Sequence, residues 1–203
     1  MASVPLPAVV LAAGASQRLG QPKALVRLGD LTLIEWAYWH LTQAGCAPVI
    51  LVVHPDLASP VRALLPEAEV VVNHDYAHGR TGSLQRGLHH LSERDGRPSR
   101  LVMAPVDRPG WNATLVRTLV GVAGSVVPCH EGKKGHPVVL DEGAISAVER
   151  ADAATPLRAL VDFQAVEVEA PWLALNVDTP VEMTALTEQS GALLAYFREG
   201  EGI

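Results

Sequence analysis

Cysteine, long apolar runs and excess positive charge are all scarce in this sequence, and each scarcity removes a class of function. Two cysteines, Cys46 and Cys129, lie far apart and form no CxxC pair. That excludes a disulfide framework and fits a reducing compartment, so the protein is expected in the cytoplasm. Cys46 reads as a core residue, whereas Cys129 falls among loop-type residues. The longest apolar stretches, Val49 to Val53 and Leu101 to Val106, are too short to span a bilayer, and the amino terminus lacks a charged segment followed by a cleavage signal. No membrane association is expected. A formal net charge of −6 without a basic stripe argues against nucleic acid as a partner. Internal repeats, low-complexity linkers and a Ser/His/Asp constellation are absent too, so residues 1–203 read as one continuous domain.

What the chain has is 48% apolar residues arranged in alternating strand-like and helix-like segments. A strand near Val9 is followed by a helical spacing from Leu31 to Ala44, closed by Gly45, and by a strand from Pro48 to Val53. Helices over Ala58 to Leu65 and Ser83 to Glu93 then alternate with strands over Glu69 to Val72 and Arg100 to Val106. Further on come a helix from Asn112 to Gly121 and a strand from Ser125 to Val127. A Gly/Lys-rich loop leads to a strand from Pro137 to Leu140. Helices over Ala144 to Arg150 and Pro156 to Phe163, strands around Val166 and Leu175, and a helix starting near Pro180 complete the reading. Such alternation predicts an α/β fold with a mostly parallel sheet and helices on both faces. Ligands then collect beyond the carboxyl ends of the strands.

The richest segment runs from Val9 to Leu25, VVLAAGASQRLGQPKAL. A buried strand delivers a loop of small residues whose backbone N–H groups can approach an anion, with two cations, Arg18 and Lys23, just beyond. Opposite charges about 4 Å apart near a protein surface attract by roughly 4 kcal/mol, so these cations dominate any grip on a triphosphate. Arg18 suits forked phosphate contacts and Lys23 a mobile point charge. The loop is neither a P-loop, since no Gly-Lys-Ser/Thr is present, nor a dinucleotide fingerprint, since GxGxxG fails at every register.

Read without a gap as L-A-A-G-x-S-x-R-x-G-x-P-K, the segment closely resembles the signature loop of the MobA-like nucleotidyltransferases, nearest to the molybdenum cofactor cytidylyltransferases. The resemblance implies a three-layer α/β/α, Rossmann-like fold with a nucleotide-binding half over about residues 1–110 and an acceptor-binding half over about 111–203. It assigns nucleotide contacts to Leu11, Ala12, Ala13, Gly14, Ser16, Arg18, Gly20 and Lys23. Asn73 to Leu88 resembles a second family segment, which adds Asn73, Gly82 and Ser83; by themselves Gly82 and Ser83 mark a helix start. His74 and His78 in that segment read as solvated loop residues, because no third ligand follows at zinc-like spacing.

Asp107 closes an apolar run, where a strand meets the ligand crevice, and resembles the acid of the family's D-x-P word, here Asp107-Arg108-Pro109. Asp178, before Thr179-Pro180, resembles the second acid; locally, Asp178 or Thr179 also suits a helix cap. Mg²⁺ takes one or two carboxylates plus phosphate oxygens, so Asp107 and Asp178 are its expected ligands. Arg18, Lys23 and Asp107 are the expected catalytic residues. Gly135-His136-Pro137 resembles a family word on the acceptor side, which makes His136 an acceptor contact; Lys133 and Lys134 beside it attract the acceptor's phosphate or form a solvated face. Where relatives carry G-D-x-G-A-R, this chain reads Ala153-Ala154-Thr155-Pro156-Leu157-Arg158, so only Arg158 carries over. Leu-Ala-Ala-Gly rather than Leu-Ala-Gly-Gly favours CTP through Ala13. The implied reaction joins a cytidylyl group to a phosphorylated acceptor such as molybdopterin. Transfer to a sugar phosphate or another small phosphorylated metabolite stays open, as does a non-catalytic carrier that delivers cofactor to a molybdoenzyme or its chaperone.

Overall fold

The computed structural model describes residues 5–201. Strand β1 (Ala8–Ala12) leads through the small-residue loop to a short hairpin, β2 (Arg27–Leu28) and β3 (Leu31–Thr32), and then to α1 (Leu33–Gln43). Thr32 starts α1 with a capping box: its hydroxyl accepts from Glu35 N while the Glu35 carboxylate accepts from Thr32 N at 2.7 Å. Strands β4 (Val49–Val53) and β5 (Glu69–Val72) flank α2 (Ala58–Leu64), and α3 (Arg80–Asp95) leads to β6 (Arg100–Pro105). The remainder comprises α4 (Ala113–Val120), β7 (Val126–His130), β8 (Lys133–Lys134), β9 (Val138–Asp141), α5 (Glu142–Arg150), α6 (Leu157–Leu160), β10 (Gln164–Glu167) and α7 (Pro180–Glu201).

The main sheet has the order β10-β7-β9-β6-β1-β4-β5, with β8 added to β7. Parallel pairs join β1 to β4 and β6, β4 to β5, and β7 to β10; β9 runs antiparallel to β6 and β7. The sheet is thus mostly parallel, as expected, with helices covering both faces. Alternate residues of β1, together with Ala13 just beyond it, feed two cores. Ala8, Val10 and Ala12 face one core with Ile34, Leu41, Val116 and Leu193, while Val9, Leu11 and Ala13 face another with Leu84, Leu88, Ile145 and Val148. Such two-sided burial is what a continuous apolar strand requires.

Three expectations are corrected. Leu175 lies on no strand: the chain from Ala170 to Val177 passes through turns, with Leu173 N donating to Ala170 O and Leu175 N to Trp172 O. It presses so closely on Gly110 and Gly135 that a Cβ at either would collide with Trp172 backbone or the Leu173 side chain. The helix expected over Pro156 to Phe163 is only Leu157–Leu160, because Val161 turns extended and Gln164 begins an edge strand. Cys129 is not in a loop but buried on β7.

No helix among the described residues is long and apolar enough to cross a membrane. Helix α3 lies flush on the sheet at Gly87, where a Cβ would stand 2.8 Å from Val9 Cγ1 and 3.2 Å from Val52 Cγ2. In α7, by contrast, a Cβ on Gly191 meets nothing within 4 Å. The same substitution therefore has opposite signs at the two sites. Gly191→Ala is expected to raise unfolding free energy by about 0.5–1 kcal/mol through reduced backbone entropy. Gly87→Ala is expected to lower it by ~1–3 kcal/mol through overpacking against stiff β-branched neighbours. Urea midpoints at constant m-value measure both.

Candidate active site

Beyond the carboxyl ends of β1 and β6 the chain builds a cleft. Leu11 and Pro105 are register partners there, and Val106 N donates to Leu11 O at 3.1 Å, which fixes the loop after β1 beside Asp107. That loop is compact. Leu19 N and Gly20 N both donate to Ser16 O, and Ser16 Oγ accepts from Lys23 N at 3.1 Å. Ser16 and Gly20 take left-handed φ values of 51° and 75°. Lys23 follows at the start of a single 3₁₀ turn, Lys23–Leu25, and its side chain is only 15% exposed.

Its ammonium group joins two distant carboxylates. Lys23 Nζ donates to Asp107 Oδ2 at 3.2 Å and to Asp178 Oδ1. Arg18 pairs with Asp178 from the solvent side, and Arg80 Nη2 donates to Asp107 Oδ2 at 2.9 Å. Asp178 is brought there by backbone: Val177 N donates to Asp107 O at 2.9 Å. Capping of α7 falls to Thr179, whose hydroxyl accepts from Glu182 N, while the Glu182 carboxylate accepts from Asp178 N at 3.0 Å and Asn176 Nδ2 at 2.8 Å. The Asp178 side chain is thereby spared for the cations. The hydrogen bond from Lys23, with the charges of Lys23, Arg18 and Arg80, outweighs burial and holds its carboxyl below the usual range.

A cavity of about 140 Å³ sits against this network, lined by Leu11, Ala12, Ala13, Gly14, Ser16, Lys23, Arg80, Ser83 and Asp107 among others. Of the expected nucleotide contacts, Arg18, Gly20, Asn73 and Gly82 lie outside that lining, although Arg18 reaches the network through Asp178. Asn73 is buried behind Ser83, donating to Ser83 Oγ at 3.1 Å and accepting from Asp75 N, so it orients the hydroxyl from beneath. Gly82 faces away: its N–H donates to Ala153 O at 3.1 Å. His74 and His78 are exposed, as expected.

A second cavity of about 450 Å³ adjoins the first and is lined by Leu11, Arg80, Leu84, Met103, His136, Pro156, Leu157 and Arg158, with Thr81, Ala154 and Thr155. His136 and Arg158, expected together, do meet here. Burial, then the charges of Arg80 and Arg108, push the His136 imidazole down to about 4. Lys133 and Lys134 are exposed on β8 and do not line the cavity.

Arg80 is the residue that reading for motifs missed. It lies inside a segment singled out for other residues, and a signal was present: a cation in the first turn of a helix opposes the helix dipole, so something other than helix stability keeps it there.

The donors present fit a divalent cation. Asp107 Oδ1 is buried with no hydrogen-bond partner, and Asp107 and Asp178 already converge on one positive centre, the Lys23 ammonium. No group of three or more His, Cys, Asp or Glu is clustered among the described residues, so a cation here takes its other ligands from elsewhere. That is the usual Mg²⁺ pattern.

Comparison with known proteins agrees with this architecture. The chain is 30% identical over 188 residues to the nicotine blue oxidoreductase of Paenarthrobacter nicotinovorans, covering 87% of this chain and 88% of that one. It is 23% identical over 193 residues to the molybdenum cofactor cytidylyltransferase of Escherichia coli K12, covering 89% and 95%. A Mycobacterium tuberculosis H37Rv protein solved in complex with manganese superposes with a TM-score of 0.72 at 26% identity, covering 91% and 99%. The model of the MobA-like NTP transferase domain matches residues 8–170, and the chain belongs to that nucleotidyltransferase family.

Proposed function

We propose that the protein is a Mg²⁺-dependent cytidylyltransferase that joins CTP to the phosphate of molybdopterin and releases pyrophosphate. The observation that carries this is the mutual neutralisation of Lys23, Arg18 and Arg80 with Asp107 and Asp178 at the mouth of a small-residue loop. Cations suited to phosphate and carboxylates suited to a metal are stored on one another. The triphosphate lies over Gly14 and Ser16, and its arrival draws Arg18 and Lys23 from the carboxylates to the β- and γ-phosphates. Asp107 and Asp178 would hold Mg²⁺, which supplies charge neutralisation on the phosphate oxygens when bound.

The acceptor enters from the second cavity, where His136 and Arg158 receive it. Its phosphate oxygen forms a bond to the α-phosphorus as the bond to the β-phosphate oxygen breaks, and the electron pair leaves with pyrophosphate. That nucleophile is already anionic near neutral pH, so the site needs no general base. Catalysis comes from alignment of the two phosphates and from cations facing the developing charge. The nucleotide loop belongs to the half before about residue 110, whereas the acceptor cavity draws on both halves, with Leu11, Arg80, Leu84 and Met103 from the first and His136, Pro156, Leu157 and Arg158 from the second. Ala13, buried in the first cavity, supports CTP over GTP through one methyl group. Such a difference is worth about 1–3 kcal/mol.

A thermal-shift panel of CTP, GTP, ATP, UTP and NADPH, each with Mg²⁺, tests the ligand class. CTP at about 100 times its Kd is expected to add ~2.7 kcal/mol of stability. Stabilisation by NADPH alone would instead favour the chemistry named for the oxidoreductase relative. With CTP, Mg²⁺ and molybdopterin, pyrophosphate release is expected, and Lys23→Ala or Asp107→Asn lowers turnover by roughly 10²-fold or more. Full activity in both variants rejects the site. Turnover only with a sugar phosphate moves the acceptor, and CTP binding without any pyrophosphate leaves the carrier reading.

The neutral state of His136 gives a pH prediction. The unfolded imidazole takes its proton near pH 6.5 and the folded one only at about 4. Between those values the unfolded chain binds more protons, so stability is complete above about pH 6.5 and drains as pH falls toward 4. His136→Asn is expected to shrink that loss in urea titrations at about pH 7 and pH 5. An NMR titration of the His136 ring that centres near 6.5 would contradict the assignment.

A further inference from the structure

Arg80 and Leu11 are the residues that line both cavities, and Arg80 alone of the two is charged. Its guanidinium shares Asp107 Oδ2 with Lys23, so two cations sit on one oxygen. The arginine is the looser of the pair: its side chain is 55% exposed against 15% for Lys23. Exposed ion pairs are weakly held. A divalent cation on Asp107 would replace that attraction with repulsion, and Arg80 would then need another anion. The larger cavity offers none of its own, because no Asp or Glu lines it. It does hold Arg158, which has no ion pair among the described residues, and His136, which feels Arg80 more strongly than any other charge.

We propose that Arg80 is a positioning residue that couples the two cavities. It rests on Asp107 until a divalent cation takes that carboxylate, and then swings its guanidinium into the larger cavity to engage, with Arg158, the phosphate of the acceptor. The acceptor's anionic end is thereby captured only when the metal-bearing half of the site is assembled. This inference rests on the reading of Asp107 as a metal ligand and of the larger cavity as the acceptor's. What it adds is a reason for the order of events, carried by a residue outside the signature words. The exchange is one of ion pairs only, with no bond made or broken.

Equilibrium binding tests it without any turnover. Phenyl phosphate serves as the probe and Mn²⁺ as the metal, with binding of the phosphate followed by calorimetry and of the metal by electron paramagnetic resonance. In the wild type, Mn²⁺ is expected to tighten phenyl phosphate binding about fivefold or more, and the phosphate to tighten Mn²⁺ by the same factor, since coupling is reciprocal. In Arg80→Gln the mutual gain is expected to fall close to one, and Arg80→Lys restores part of it. Pairing of Mn²⁺ with phenyl phosphate in free solution is the same for every variant and cancels. The same gain in Arg80→Gln as in the wild type, or no gain in the wild type, overturns the proposal. Circular dichroism confirms that the exposed substitution leaves the fold intact. Coupling in a protein that never releases pyrophosphate keeps Arg80 and rejects cytidylyl transfer; turnover without coupling rejects Arg80 alone.

Discussion

One ammonium group holds the site together. Lys23 comes from the loop after β1, Asp107 from the end of β6 and Asp178 from the approach to α7, and their side chains meet at a single nitrogen. Each is largely buried, with side-chain exposures of 15%, 9% and 15%. A buried charge without a partner costs several kcal/mol, so none of the three would persist alone. Together they form a cluster in which opposite charges lie within hydrogen-bonding distance. The same arrangement makes the cleft sensitive to ligands: any species that brings both a cation and an anion can replace both halves of the cluster, whereas a species of one sign leaves the other half unpaired.

The sheet makes that meeting possible. Parallel pairing of β1 with β6 puts the ends of both strands at one edge, and the bond from Val106 N to Leu11 O carries the alignment past the last ladder pair. Asp178 needs a different device because it follows no strand. The chain from Ala170 to Val177 is drawn tightly across Gly110 and Gly135, where side chains are excluded, and ends in the bond from Val177 N to Asp107 O. Backbone contacts thus position all three charged residues before any ligand is considered. The division of labour in the Thr179–Glu182 capping box serves the same end, since it fixes the start of α7 without using the Asp178 carboxylate.

Much of this was legible in the sequence where the residues are contiguous. The loop from Gly14 to Lys23 announces itself by small residues and cations after a buried strand, and Asp107 by its place at the end of an apolar run. Both signals are local, because each residue's role follows from the element that delivers it. What could not be read depends on packing between distant segments. Leu175 carries apolar neighbours that suit a strand, yet the chain just before it turns at Trp172 and Leu173, which press on Gly110 and Gly135. Gly82 matches a motif, but its N–H is claimed by Ala153, a partner seventy-odd positions away that no pattern in the chain connects to it. Cys129 sits among residues that favour loops, and pairing with β8, β9 and β10 makes β7 a strand regardless. Arg80 illustrates the converse, since its unfavourable place at a helix start was visible and its meaning emerged only with Asp107 at 2.9 Å.

The two cavities differ in how far their chemistry is prescribed. In the smaller one, the loop geometry at Ser16 and the ion network leave little freedom, so what it accepts is dictated by charge. The larger one is walled by Leu84, Met103, Pro156 and Leu157, with Arg80, Arg158 and a neutral imidazole as its main polar features. Apolar walls discriminate by shape in steps of about one or two kcal/mol, while a guanidinium without an ion pair among the described residues, as at Arg158, favours an anion. Under the proposed assignment of this cavity to the acceptor, the acceptor's reacting end is therefore specified more strictly than its body. Substitutions at residues 154–157 can retune the body without touching the ion network, because that network draws on none of them.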